Sequence, residues 1–65
     1  MELQINKTYR LVFQVGNSVL SYTATILTIQ GNFISFRDKF GKFFTYNIDN
    51  LISFEEINLK GVQEK

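Results

Sequence analysis

Apolar and polar residues alternate with a period of two over much of this chain, in short blocks separated by turn-forming residues. Tyr9, Leu11, Phe13 and Val15 alternate with Arg10, Val12 and Gln14, which predicts a strand over residues 8–15 with the first set on one face. Leu3 and Ile5 share that parity, but Asn6-Lys7-Thr8 reads as a turn between them and the strand. Gly16-Asn17-Ser18 then breaks the pattern as a hairpin turn does. The next block, Val19 to Gln30, is long and rich in β-branched residues. Within it Leu20, Tyr22, Ala24 and Ile26 share one parity, while Leu27 and Ile29 share the other. A switch of parity inside one apolar block predicts a bulge or sharp bend near Ile26-Leu27.

Gly31-Asn32 is a two-residue hairpin signal, and Phe33 to Arg37 forms the third predicted strand. Asp38-Lys39-Phe40-Gly41-Lys42 reads as a turn with its glycine in a left-handed position. Phe43 to Ile48 is the fourth strand. Ile48 and Leu51 then stand at the i, i+3 spacing of a single 3₁₀ turn, and Ile52 to Ile57 is a short fifth strand. The prediction is an all-β fold: a five-stranded, strongly bent antiparallel small barrel with a short 3₁₀ turn before the last strand. Its core spans about residues 7–58, and the polar stretch 59–65 reads as a frayed tail.

Sixty-five residues hold one domain. A domain of this size buries only ~60% of the surface its unfolded chain exposes. Cys and His are both absent, so neither disulfides nor the common zinc sites supplement that core. Dense aromatic packing from seven Phe and three Tyr, or self-association, has to serve instead. Residues 1–7 lack the basic and long apolar regions of a signal peptide, and no apolar run is long enough to span a bilayer. The expectation is a cytoplasmic protein with no membrane partner.

At the level of this pattern the chain resembles the SH3-like small barrels, and within them the Sm-like group, over roughly Tyr9 to Ile57. The Sm-like signature places an aromatic, a small residue and an aliphatic at alternate positions. These run into a loop with an Asp and an Asn, followed by a strand ending in an acidic residue. Tyr22, Ala24, Ile26, Ile29, Asn32, Ile34, Phe36 and Asp38 lie along that pattern with a shortened loop, Gln30 falling where the Asp would stand. A second signature puts Arg-Gly at the start of the last strand, where this chain has Asp49-Asn50. The resemblance therefore implies the fold, and of the family's RNA-contacting positions it implies Asn32 alone.

Candidate chemistry is sparse. Without His or Cys, nucleophilic catalysis of the Ser-His-Asp or Cys-His kind is excluded, and no motif supports a Ser-Lys pair among Ser18, Ser21, Ser35 and Ser53. Glu55 and Glu56 are strand neighbours that point to opposite faces, which suits an edge charged against aggregation better than a shared substrate. The expectation is a non-enzymatic protein without cofactor or metal. Net charge is +1, but residues 1–42 carry +3 and residues 43–65 carry −2.

The hairpin from Arg37 to Phe43 has the most functional character. Phe40 stands at its tip, surrounded by Arg37, Lys39 and Lys42, and basic side chains interleaved with an aromatic suit single-stranded nucleic acid, the cations neutralising phosphates and the ring stacking on bases. Lys7 and Arg10 extend the basic set. The competing reading is that Phe40 folds back over an end of the barrel and the lysines are solvated turn residues. Tyr9 and Tyr46 fit core packing better than such a platform. Two functions follow as expectations. One is DNA or RNA binding through Arg37, Lys39, Phe40, Lys42, Lys7, Arg10 and Asn32. The other is a protein-interaction or assembly module, a homo-oligomer or a docking partner, that associates through strand edges.

Overall fold

The computed structural model describes residues 3–57. The tail expected over 59–65, like Asn58, lies outside the described residues. The described residues form five strands: β1 (Thr8–Val15), β2 (Ser18–Gln30), β3 (Phe33–Asp38), β4 (Phe43–Asn47) and β5 (Leu51–Glu56). A 3₁₀ turn, η1 (Ile48–Asn50), joins the last two. All neighbours are antiparallel, in one sheet of order β4-β3-β2-β1-β5.

Each boundary has a local cause. Val15 pairs with Ser18 around Gly16-Asn17, and Gln30 pairs with Phe33 around Gly31-Asn32, so both hairpins have two-residue loops. Gly16 and Gly31 take φ of +61° and +57°. A positive φ at the first loop residue is the II′ geometry whose twist matches the flanking strands, and glycine adopts it without strain. The β2–β3 register shifts between Ile26 and Thr28, leaving Leu27 as the extra residue. The parity switch at Ile26-Leu27 is thus a bulge, and it returns Ile29 to the core side opposite Ile34. The first turn lies at Ile5-Asn6 rather than at Asn6-Lys7-Thr8. Asn6 takes φ +72°, its N–H donates to the Ile26 carbonyl at 2.8 Å, and Thr8 is already paired with Thr25.

The sheet is open, with β4 and β5 as its two edges. A flat sheet of five strands would hold its edges ~19 Å apart, whereas a 3₁₀ segment advances only ~2 Å per residue. For Ile48–Asn50 to connect β4 to β5, the sheet must curl so that its edges approach at that end. Two bonds anchor the connection: Ile48 N–H donates to the Asn32 carbonyl at 2.6 Å, and the Asn47 side chain accepts from Asp49 N–H at 2.8 Å.

The concave side holds the core. Tyr9, Leu11, Phe13, Ala24, Ile26, Ile34 and Phe36 are buried, and Leu3, Tyr22, Ile29, Phe44, Tyr46, Ile48 and Leu51 pack against them. An aromatic stack organises the middle: Phe13 lies 4.5 Å from Tyr46 and 6.0 Å from Phe36, and Tyr22 lies 4.8 Å from Phe44, between ring centroids. Tyr9 is 3% exposed, with its hydroxyl accepting from Gln4 N–H at 2.9 Å, so both Tyr9 and Tyr46 belong to the core. Val15 shares their parity but lies beyond the core at the hairpin, exposed. Among the described residues no helix is long and apolar enough to cross a membrane.

Candidate functional site

The convex face is polar over Arg10, Ser21, Thr23, Thr25, Ser35 and Arg37, with Val19 and Phe33 exposed farther along β2 and β3. Period two that sends Tyr22, Ala24 and Ile26 inward sends Ser21, Thr23 and Thr25 outward. Register then builds a row across four strands: Thr8 opposite Thr25, Thr25 opposite Arg37, and Arg37 opposite Phe43. Thr8 and Thr25 share a hydroxyl–hydroxyl hydrogen bond of 3.0 Å. Two residue pairs along, on the same face, Arg10 stands opposite Thr23.

β3 ends at Asp38, but β2 continues beside the turn that follows. The turn therefore walls one side of an open groove of about 390 Å³ whose floor is Thr8, Thr23 and Thr25 and whose rim is Arg37, Asp38, Lys39 and Gly41. A smaller recess of about 140 Å³ adjoins it, bounded by Arg10, Ser21, Tyr22, Thr23, Asp38, Lys39 and Phe40, so the Asp38 carboxylate borders both hollows. Hydroxyl donors below and guanidinium and ammonium groups around suit an anion, and a ring at the rim suits a flat apolar group.

The turn has one organiser. Asp38 Oδ1 accepts from the N–H groups of both Phe40 and Lys42 at 2.9 Å. The Asp38 N–H donates to the Lys42 carbonyl at 2.9 Å, and Gly41 N–H donates to the Asp38 carbonyl at 3.0 Å. Gly41 takes φ +86°, where a Cβ would be strained. This frame holds Phe40 out in solvent, 77% exposed, so the ring does not fold back over an end of the sheet. The Lys39 Nζ lies 5.4 Å from the Phe40 centroid, over one face of the ring.

Tyr22 lies beneath this rim. Its hydroxyl hydrogen-bonds that of Tyr46 at 2.6 Å. Burial, then the Tyr46 hydrogen bond and charge, then the charge of Asp38, push its pKa up to about 12. At neutral pH it is a protonated hydroxyl bonded to Tyr46 within the aromatic cluster of the concave side.

Of the residues singled out in the sequence, Arg10, Arg37, Lys39 and Phe40 border the two hollows, and Lys42 belongs to the same turn. Two others lie elsewhere. Lys7 reaches away to Glu56 on β5, 3.6 Å off. Asn32 sits at the opposite end of β3, ~17 Å from Arg37 along an extended strand, where its carbonyl caps Ile48. The threonine floor and Phe43, which is 70% exposed, were not among the sequence candidates. A signal existed for both: Thr23 and Thr25 occupy the parity opposite the apolar set, and consecutive Phe43 and Phe44 cannot both face inward from a strand. No protein-family model, no curated protein and no solved structure matches the chain.

Proposed function

We propose that the protein is a non-enzymatic small barrel of SH3-like, Sm-like type that binds nucleic acid through the β3–β4 turn and the groove beside it. The observation that carries this reading is the juxtaposition of Arg37 and Lys39 over a floor of threonine hydroxyls, next to a phenylalanine held out in solvent. Arg37, Lys39 and Lys42 contact phosphates, the threonines donate to phosphate or sugar oxygens, and Phe40 stacks on a base. The strand order β4-β3-β2-β1-β5, with a 3₁₀ turn joining the two edges, supports the barrel reading. Asp38 lies within the basic rim, but both backbone bonds to its Oδ1 hold that carboxylate to the turn.

Anisotropy titration of labelled oligonucleotides at low salt tests the proposal. Three phosphate contacts predict a log–log salt slope of about −2 on a single strand, from −0.7 per contact. Absence of binding at protein concentrations of tens of micromolar refutes it.

One observation favours a second reading, assembly through strand edges. β5 is an edge strand whose residues are all exposed except Leu51, and they include Ile52 and Phe54. Pairing of this edge with a second copy or another protein would cover them. Light scattering decides it: a mass of 7.6 kDa at high concentration removes self-association.

A further inference from the structure

We infer that the nucleic acid taken by this site is single-stranded, and that Phe43 is a second stacking platform which, with Phe40, makes the contact a two-base step. The inference rests on the nucleic-acid reading above and deepens it by naming the strand state and a residue not yet assigned a role.

Phe40 and Phe43 are 77% and 70% exposed, more than Phe33 at 53% and Phe54 at 37%, while Phe13, Phe36 and Phe44 lie in or against the core. They stand three residues apart across Gly41, and cations alternate with them. Phe43 is the register partner of Arg37, and Phe40 lies under the Lys39 ammonium. A ring beside a guanidinium, then a ring beside an ammonium, repeats the base-and-phosphate alternation of an unstacked strand. In a duplex the base faces are stacked on one another and only their edges reach the grooves, so protein rings have nothing to stack on. Strands with splayed bases present those faces, and stacking tolerates any base because each has a π-face. The platform is preorganised: Asp38 Oδ1 fixes the backbone at Phe40 and Lys42, and β3–β4 pairing fixes Phe43. Lys39 covers one face of Phe40, so the base takes the other, with its phosphate drawn to the same ammonium.

The test compares a labelled 12-nucleotide single strand of mixed sequence with the duplex of that sequence, for the wild type and for Phe40→Ala, Phe43→Ala, Phe43→Tyr and Arg37→Ala. Circular dichroism confirms folding of each, which exposed sites leave intact. The wild type prefers the single strand. Each Phe→Ala weakens single-strand binding roughly 5- to 150-fold, as expected for loss of one stacked base. Phe43→Tyr retains it, and duplex affinity does not respond to either phenylalanine. Equal affinity for both forms, or a neutral Phe43→Ala while Arg37→Ala still weakens binding, overturns the stacking inference and leaves phosphate binding standing. A wild type that binds neither form overturns the nucleic-acid reading itself.

Discussion

Asp38 carries two separable roles, and two substitutions pull them apart. Its Oδ1 accepts two backbone N–H groups at 2.9 Å, and it places one negative charge within the basic rim. Asp38→Ala removes both bonds. Each contributes about 0.5–1.5 kcal/mol net, and the exposed N–H groups regain water, so the loss is about 1–2 kcal/mol. A 65-residue domain has a total stability of roughly 3–10 kcal/mol, and each kcal/mol moves Tm by about 4–8 °C, so the melt falls by about 5–15 °C. Asp38→Asn keeps an oxygen at the Oδ1 position, and its melt falls by less than half as much. Affinity separates the pair further. A unit charge ~8 Å from a phosphate in water repels it by about 0.5 kcal/mol. Asp38→Asn therefore binds an oligonucleotide about twofold more tightly, whereas Asp38→Ala binds more weakly because Phe40 loses its fixed position. Thermal melts by circular dichroism and anisotropy titrations read both effects. Equal melting of wild type and Asp38→Ala would refute the turn-organising role, and weaker binding by Asp38→Asn would refute the charge argument.

Phe13 is fully buried and stacked on Phe36 and Tyr46, so Phe13→Ala removes about 3–5 kcal/mol, most of the stability, in a urea titration. Phe43→Ala changes stability by less than about 0.5 kcal/mol in the same assay, because its ring is exposed. Gly31→Ala meets no atom within 4 Å but must hold φ +57°, so a loss of about 1–2 kcal/mol measures backbone strain alone. The Tyr22 pKa lies above the ordinary 10.0, at about 12, so the folded state holds a proton that the unfolded state releases. Stability owed to this group is intact below pH 10 and falls as pH rises toward 12. Tyr46→Phe, followed by ultraviolet titration, lowers the Tyr22 pKa only part of the way, because burial is the largest cause and remains.

Much of the fold was legible where the cause is local. Gly-Asn pairs flanked by apolar alternation specify two-residue hairpins on their own, and the parity switch at Ile26-Leu27 is the bulge seen in register. The i, i+3 spacing of Ile48 and Leu51 marks η1, although Leu51 itself opens β5. Features set by distant pairing were not legible. Edge-to-edge closure of the sheet depends on how β4 and β5 meet, and they stand as open edges. Lys7 looked like part of a basic surface until β1–β5 pairing set Glu56 beside it. Asn32 matched a motif position, yet the length of β3 separates it from the turn. In the site, the Phe40 turn was readable because Asp, Gly and an aromatic tip coincide in five residues. Its threonine floor was readable only in part: parity turns Thr23 and Thr25 outward, but their meeting with Thr8 and Arg37 is set by pairing across three strands.

The proposed nucleic-acid contact has one place on the molecule, the convex face between β2 and the β3–β4 turn. Amide chemical-shift mapping by NMR, titrating a short single-stranded oligonucleotide into labelled protein, reads that place directly. Binding there gives saturable shifts concentrated at Thr23–Thr25 and Arg37–Phe43, with Leu51–Glu56 and Asn32 unmoved. Shifts confined to the β5 edge, or none at saturating oligonucleotide, would contradict it.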